Sequence, residues 1–307
     1  MRNYLRALCL PLLAVFLAGC EDFDLGSMGG SDRYREDFHF SYPLSAGGSL
    51  RVENFNGSVE ISGWDKNTVD IDGTKYASTE YRLKEMKLDI VPSASSITIR
   101  TLPPIDHRGN AGARYTIHVP RRIELSSIVS SNGRITIESI EGATHLRTSN
   151  GSVHVNGVVG PLEAQTSNGT IEVSDVTGDT TLQSSNGTIR ADVRKGRFGA
   201  HTSNGSISVR LTEPDSSPVR LESSNGHIEL TMDAVREVKA STSNSSITVR
   251  LPASAGAMLD AHTSNSSITC AQLSASRSRS PSTATNSTTN RAGLQCGRSN
   301  ARIRRFG

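Results

Sequence analysis

The clearest pattern in this chain is an alternation of apolar and polar residues that restarts every 18 residues over much of its length. An apolar residue follows two positions after each Ser-Asn-Gly segment and another follows two positions later, as in Ile171-Glu172-Val173. A second alternating run, such as Leu162-Glu163-Ala164, leads into the next copy. Because strict alternation is typical of a β-strand with one buried face, each repeat is predicted to contain two short strands.

Turn residues separate the two strands. Ser-Asn-Gly marks one turn, and a second glycine nine residues later marks the other in four successive copies: Gly142, Gly160, Gly178 and Gly196. Two strands cannot bury an apolar face alone, but repeats stacked in parallel at about 4.8 Å can. The pattern therefore predicts an all-β fold, a parallel β-solenoid of ~18-residue, two-strand coils with an N-terminal β-rich capping region.

An asparagine is predicted to occupy the same corner in eight coils. Asparagine tolerates left-handed backbone angles, and stacked amides can hydrogen-bond along the axis, while glycine takes a backbone position that a β-carbon would disfavour. The Thr or Ser two residues earlier falls on an inward position, where its hydroxyl is expected to cap the turn. We interpret the column as structural, with a ligand-binding ladder as the alternative: Asn132, Asn150, Asn168, Asn186, Asn204, Asn225, Asn244 and Asn265.

Residues 1–19 are predicted to be a bacterial lipoprotein signal peptide. A short positive segment precedes an apolar run, residues 8–16, that is too short to span a bilayer as a mature helix. Leu17-Ala18-Gly19-Cys20 then resembles the bacterial lipobox. This resemblance implies cleavage before Cys20 and modification of its thiol by a diacyl group, with fatty acids such as palmitate, which would anchor the chain stably.

Composition divides the remainder into four parts. Residues 20–33 are rich in Gly, Ser and Asp and predict a flexible tether. Residues 34–125 predict a β-rich head continuous with the solenoid, and residues 126–273 form its regular part. Residues 274–307 are a Ser/Thr/Arg-rich tail, in which Ser299-Asn300-Ala301 predicts a last, irregular coil.

Two further features of the head are predicted. Ser78 to Met86 is the one plausible helix, and it begins at a Ser/Thr cap. Trp64, the only tryptophan, stands where later repeats have Ile140 or Val158, so we expect it in the core of the first coil rather than at an exposed ligand platform.

The charge is unevenly distributed. The net charge is +3, but the chain from residue 275 onward holds seven arginines and no acidic residue, so the rest is slightly acidic. Such a tail could contact anionic lipid or polysaccharide, or could simply be a solvated end. We expect no nucleic-acid partner.

A family resemblance supports the same architecture. The run from Leu50 to Ile61, which contains Asn56-Gly57-Ser58, is followed by Trp64, by Tyr115 to Pro120 and by the Ser-Asn-Gly coils. Over residues 38–273 this combination resembles the bacterial putative-adhesin domain family of unknown function. The resemblance implies a β-solenoid in a cell-envelope lipoprotein or membrane-tethered protein, and it specifies no ligand. The chain departs from the family pattern after Ala271.

Candidate chemistry is sparse. β-Helical polysaccharide-cleaving enzymes need clustered carboxylates or calcium, whereas the best-defined outward column here mixes signs, with Glu172 between His154 and Arg190. His201 and His262 share a column but stand about three coils apart, too far to bind one zinc ion. We therefore predict no catalytic residues, no metal site and no cofactor.

Two cysteines remain in the mature chain besides Cys20. Cys270 and Cys296 both fall on inward positions, one on each type of strand. An exported compartment permits a disulfide between them, and two unpaired buried cysteines are the other interpretation.

The function predicted from sequence is a non-catalytic, lipid-anchored cell-envelope protein, on the outer membrane or the extracytoplasmic face of the plasma membrane. Its solenoid would present a polar surface for glycan, envelope polymer or protein. The alternatives are a structural or regulatory envelope protein that binds only a protein partner and, third, a carbohydrate-active enzyme.

Overall fold

The computed structural model describes residues 32–302, except 107–108, 215–216, 234–236, 253–258 and 274–299. All described residues belong to one compact unit. They form two sheets of 12 strands each, whose strands are mostly parallel and stack coil on coil. The predicted β-solenoid of two-strand coils is confirmed.

Sheet 1 contains the strand that follows each asparagine corner. In spatial order its strands are β1 (Tyr34–Pro43), β4 (Thr68–Ala77), β7 (Ala111–Pro120), β3 (Val59–Trp64), β9 (Ile135–Glu141), β11 (Val153–Val159), β13 (Ile171–Thr177), β15 (Ile189–Gly196), β17 (Ile207–Pro214), β19 (Ile228–Met232), β21 (Ile247–Pro252) and β23 (Ile268–Leu273).

Sheet 2 contains the strand that leads into each corner. In spatial order its strands are β24 (Asn300–Arg302), β22 (Leu259–Thr263), β20 (Val238–Thr242), β18 (Val219–Ser223), β16 (Phe198–Thr202), β14 (Thr180–Ser184), β12 (Leu162–Thr166), β10 (Thr144–Thr148), β8 (Glu124–Asn132), β2 (Ser49–Asn56), β6 (Ser96–Leu102) and β5 (Lys87–Pro92).

The core lies between the two sheets and runs along the stack as one cluster of buried apolar side chains. Each coil contributes the inward residues of its two strands, such as Leu162 and Ala164 from β12 and Ile171 and Val173 from β13. All four are at most 4% exposed. Removing this apolar area from water is the main favourable term in folding. A single repeat could not bury its apolar side chains on its own.

The head continues both sheets, but not in chain order. β2 and β3 form one coil, with β8 and β9 stacked on one side of it and β6 and β7 on the other. Beyond β6 and β7 the pairing becomes antiparallel, through β5 in sheet 2 and through β4 and β1 in sheet 1. Sheet 1 therefore ends one strand further out than sheet 2.

The predicted helix is present as α1, Glu80–Glu85. Thr79 is its N-cap, and the Thr79 hydroxyl accepts a hydrogen bond from the Arg82 backbone N–H at 3.3 Å. Leu83 and Met86 pack with Ala77 and Tyr34 in a small second core. The helix thus covers the ends of β1 and β4.

Trp64 does not lie in the core, so that prediction is wrong. In later coils a left-handed residue, Ser139 or Asp175, turns the next side chain inward. β3 has Gly63 there without a left-handed φ, so Trp64 keeps the outward phase of Ser62. Its indole stacks on His118 with ring centroids 5.2 Å apart, and its Nε1 donates to the Thr68 carbonyl at 2.9 Å.

The last coil predicted around Asn300 is also wrong in its direction. β24 pairs antiparallel with β22, which places Asn300 opposite His262 instead of above Asn265. Two residues before Asn300 the chain has Arg298, where the regular copies have Thr or Ser. An arginine cannot replace a small buried hydroxyl without a large desolvation cost, so this segment lacks what a further parallel coil requires.

Substitution of one corner glycine tests the stacking. A β-carbon at Gly169 would lie 1.8 Å from the Gly151 carbonyl oxygen, whereas one at Gly199 would have nothing within 4 Å. We expect Gly169→Ala to lower the free energy of unfolding by about 1–3 kcal/mol, since the backbone must shift. Gly199→Ala should be neutral or raise it by up to about 1 kcal/mol. Urea unfolding midpoints measure both, and equal midpoints would contradict the close approach.

A second prediction concerns the buried Tyr115, whose phenol is 2.6 Å from the Thr101 hydroxyl. Burial raises the pKa of Tyr115 to about 12, against about 10 in an unfolded chain. The unfolded state therefore loses this proton first, so the stability contributed by Tyr115 is complete below about pH 10 and is lost as the pH rises towards 12, by about 2–3 kcal/mol.

Urea unfolding at pH 9 and above pH 11 measures this loss in the natural chain and in Tyr115→Phe. The variant should be less stable at pH 9, because the Thr101 hydroxyl loses its partner, but it should lose less stability at high pH. Equal losses in the two proteins would show that Tyr115 does not titrate as proposed.

Candidate functional site

The outward face of sheet 1 carries an open groove of about 590 Å³ across β9, β11, β13, β15, β17 and β19. Because alternate side chains point to opposite faces, each strand gives the groove two outward side chains, and every strand except β19 also gives the inward residue between them. The second residues of the six strands are paired in register, so they line up across the sheet. The pairing of β13 with β15 shifts register after Val173 and Ala191. The groove is therefore a direct product of the repeat.

Two rows of polar side chains cross this groove, which we call the sheet 1 groove. The first row consists of the second residue of each of these strands, and the second row consists of the fourth. The first row is Thr136, His154, Glu172, Arg190, Ser208 and Glu229, and the second is Glu138, Asn156, Ser174, Asp192, Arg210 and Thr231.

Ion pairs organise the charged part of the groove. The Glu172 carboxylate lies 3.1 Å from His154 Nδ1 on one side and 2.9 Å from the Arg190 guanidinium on the other. This confirms the predicted mixed-sign column. Arg210 reaches Asp233 at 3.2 Å. These side chains remain about one third to three fifths exposed, so each pair contributes little to stability and each is accessible to a ligand.

The remainder consists of neutral hydrogen-bonding groups and of three further carboxylates, Glu138, Asp192 and Glu229. The Ser174 hydroxyl donates to Asn156 Oδ1 at 3.0 Å, and the hydroxyls of Thr136 and Ser208 also line the groove. None of its lining residues is Phe, Tyr or Trp. A ligand would therefore be held by hydrogen bonds and charge rather than by stacking on aromatic rings.

The carboxyl groups with displaced pKa values do not resemble a general acid. Hydrogen bonds from Arg51, Lys84 and Arg197 lower the pKa values of Glu53, Glu80 and Asp179, respectively. A catalytic carboxylic acid needs a raised pKa to hold its proton near neutral pH. These three carboxyls also lie outside the sheet 1 groove.

Histidines are distributed as the sequence suggests. His201 and His262 occupy one column of sheet 2, separated by Glu222 and Ser241. Among the residues that the structure describes, no group of His, Cys, Asp or Glu is arranged to hold a metal ion.

The corner asparagines form a continuous amide ladder. Each side-chain Nδ2 donates to the Oδ1 of the asparagine one coil earlier at 2.6–2.8 Å, from Asn150 to Asn265. The asparagines do not use left-handed backbone angles, contrary to our expectation: among the described non-glycine residues, only Ser139 and Asp175 have positive φ. Asparagine is used here for its stacking amide, not for its backbone freedom.

The buried hydroxyls beneath the ladder connect neighbouring coils. Each donates to the carbonyl of the corner residue one coil earlier at 2.9–3.3 Å, as Thr166 does to Gly151. Three also accept from their own corner, as Ser184 does from the Gly187 N–H at 2.8 Å. The sequence indicated a cap on the same turn, and the bond between coils was not anticipated.

The cysteines fall largely outside the described residues. Cys20, the predicted lipidation site, and Cys296 both lie there. Cys270, on β23, packs against the core and is disulfide-bonded, with a partner outside the described residues. Pairing of Cys270 with Cys296 stays a prediction. Within the described ranges, α1 is far too short to cross a membrane.

The groove is the feature that sequence reasoning missed. The first row was considered only as a column of mixed charge, and the second row, from Glu138 to Thr231, was not considered at all. Both rows lie on the same six strands. The available signal was the second polar position of each alternating run, which falls on the same face as the first.

Among known proteins, similarity to this chain is found only with solved structures. No family model and no curated protein sequence matches it. A putative adhesin from Parabacteroides merdae is similar, with 12% identity over 78% of this chain and 97% of that chain and a TM-score of 0.49. A putative lipid binding protein from Parabacteroides distasonis has 14% identity over the same shares and a TM-score of 0.41.

A putative adhesin from Bacteroides fragilis is also similar, with 11% identity over 78% of this chain and 97% of that chain and a TM-score of 0.31. Two of these three structures therefore bear the name of the family that the sequence resembles. At this level of similarity, function has to be argued from the residues of the chain itself.

Proposed function

We propose that this chain is a non-catalytic, lipid-anchored protein of the cell envelope that binds an extended polar polymer, a glycan strand, in the sheet 1 groove. The observation that carries the proposal is the groove itself, in which two rows of hydrogen-bonding and charged side chains cross six strands. Six strands at about 4.8 Å spacing extend over about 24 Å. This length suits several units of a linear polymer better than one small molecule.

The chemistry of the rows supports a polar ligand. Arg190 and Arg210 can donate to ring or carboxylate oxygens, while Asn156 and Ser174 offer both donors and acceptors. The groove is open to solvent and polar, so a glycan could bind through direct and water-mediated hydrogen bonds.

A binding role is favoured over catalysis because the central carboxylate is engaged. Glu172 is bonded on both sides, by His154 and Arg190, and Glu229 is paired with Arg250. Glu138 and Asp192 stand three strands apart, about 14 Å at strand spacing, whereas hydrolysis of a glycosidic bond requires two carboxyls about 5–9.5 Å apart on either side of one scissile bond. The alternative of a structural or regulatory protein that binds only another protein is distinguished by the experiment below.

Removing the two groove arginines tests the binding site. Each charged hydrogen bond is worth about 1.5–3 kcal/mol, so Arg190→Ala combined with Arg210→Ala should weaken glycan binding at least about tenfold. Titration calorimetry against a panel of solubilised envelope polysaccharides, uronic-acid polymers included, measures the affinity. Arg147→Ala combined with Arg220→Ala is the matched control, since both are exposed on the outward face of sheet 2.

Equal losses in both double variants would indicate a general charge effect rather than a site. If no polysaccharide binds and one envelope protein co-purifies in a manner that depends on Arg190 and Arg210, the protein-binding alternative is correct instead. Release of reducing sugar ends from any polymer would contradict the non-catalytic role.

The anchor has its own test. We expect the chain, expressed with its signal peptide in a bacterial host, to lose residues 1–19 and to gain the mass of acyl chains at Cys20. Cys20→Ser should abolish acylation and move the protein from the membrane fraction to the soluble fraction. Intact-protein mass spectrometry and fractionation measure both, and an unmodified Cys20 in a membrane-bound chain would contradict the proposed anchor.

A further inference from the structure

Exposed apolar side chains are concentrated at one end of the described stack. The large apolar residues that are exposed are Tyr81, Val91, Leu102, Ile105 and Val159. Four of these belong to α1, β5, β6 and the segment after β6, which together close the stack beyond the first coil, and only Val159 belongs to the regular coils. We call the end formed by α1, β1, β5 and residues 103–106 the head end.

The edge strand β1 adds half-buried aromatic rings to the head end. Phe38, Phe40 and Tyr42 point to the core side of sheet 1, where they contact the last residues of the core. Sheet 2 ends one strand earlier than sheet 1, so these rings are only partly covered. Tyrosine, which combines an apolar ring with a polar hydroxyl, favours the boundary between water and lipid. Tyr42 and Tyr81 lie at this end, and the Tyr81 hydroxyl donates to the Glu85 carboxylate at 2.6 Å.

The described chain begins directly beside this surface. Asp32 accepts hydrogen bonds from Asn110 at 2.8 Å and from Arg114 at 2.6 Å. Asp106 and Gly109 are in turn held by Arg82 of α1, which donates to the Asp106 carbonyl at 2.6 Å and to the Gly109 carbonyl at 3.1 Å. Asp32 is therefore fixed next to the loop that carries Ile105 and the helix that carries Tyr81.

The length of the preceding segment fixes how far this end can be from the anchor. Eleven residues lie between Cys20 and Asp32, and the segment is rich in Gly and Ser. The flexible tether that the sequence predicts here would span about 20 Å on average. An acyl group on Cys20 would therefore hold the head end, and not the opposite end of the solenoid, against the bilayer.

We propose that the head end is a membrane-contact surface, in which Tyr81 and Ile105 enter the interfacial layer of a lipid bilayer. This inference rests on the proposed lipid anchor. The contact would orient the solenoid, so that the strands of the sheet 1 groove stand further from the membrane than α1 and β1. The acyl chains provide attachment, and the apolar head end converts a loose attachment into a defined orientation.

Vesicle flotation of an unacylated chain tests the surface independently of the anchor. The protein for this experiment begins at residue 20 and carries Cys20→Ser, so it cannot be acylated and it retains all the described residues. We expect it to float with vesicles of phosphatidylethanolamine and phosphatidylglycerol at millimolar lipid. Tyr81→Ser combined with Ile105→Ser should lower the bound fraction at limiting lipid about tenfold or more, because two exposed apolar side chains no longer leave water. Both side chains are more than two thirds exposed, so the fold should persist, which circular dichroism checks.

Val159→Ser is the matched control, because Val159 is an exposed apolar residue of the regular coils. It should float as the parent chain does. Equal flotation of the head-end double variant and its parent, or no flotation of the parent, would overturn the inference. So would a concentration-dependent dimer in sedimentation analysis that the double variant abolishes, since a second copy would then cover this surface.

The outcome is separable from that of the proposed function. If Cys20 is acylated and the double variant floats as its parent does, only the proposed membrane contact is contradicted. If Cys20 is unmodified and flotation depends on Tyr81 and Ile105, the proposed anchor is contradicted and the proposed membrane contact is supported. Glycan titration reports on the sheet 1 groove in either case.

Discussion

The solenoid depends on the close approach of one backbone corner to the next. At Gly151, Gly169 and Gly187 a β-carbon would lie 1.7–1.9 Å from the carbonyl oxygen of the preceding corner, so at these corners the coils approach more closely than a side chain would allow. Serine takes the place of this glycine at the last two corners, Ser245 and Ser266. The corner carbonyl also accepts the buried hydroxyl of the next coil, and this satisfies an acceptor that would otherwise be buried unpaired. Backbone contact, buried hydroxyl and exposed amide ladder thus act on one corner, and each excludes a shift of register.

Register at the corner determines what the distant face of the coil presents. A slip of one residue would turn every outward side chain of that strand into the core. Because the corners are aligned, His154, Glu172 and Arg190 lie side by side on three neighbouring strands and pair with one another. The groove needs no loop or insertion to position it. Its chemistry can vary from coil to coil at the outward positions, while the inward positions and the corner remain the same.

The parts of the fold that sequence could predict are those fixed by local pattern. Alternation in Ile171-Glu172-Val173 specifies a strand and its buried face, and the interval between asparagines specifies the stack. Trp64 shows where this reasoning fails, because its direction depends on whether Gly63 adopts a left-handed angle, and glycine permits both. The groove was harder to predict for another reason: the second polar position of each run indicates which residues share the outward face, but the shape of the groove arises from the side chains of six strands together.

The two ends of the stack show how a parallel solenoid is closed. Each additional parallel coil would expose a new edge with unpaired backbone groups, which invites association with another chain. Antiparallel strands end sheet 2 at both of its edges, β5 at one and β24 at the other, and sheet 1 ends in the antiparallel pair β4 and β1 at the head. The head differs from a simple cap because it keeps aromatic and aliphatic side chains partly uncovered. A cap that served only to block edges would gain solubility by being polar there, so the apolar character of this end requires a reason of its own, and the proposed contact with a bilayer would supply one.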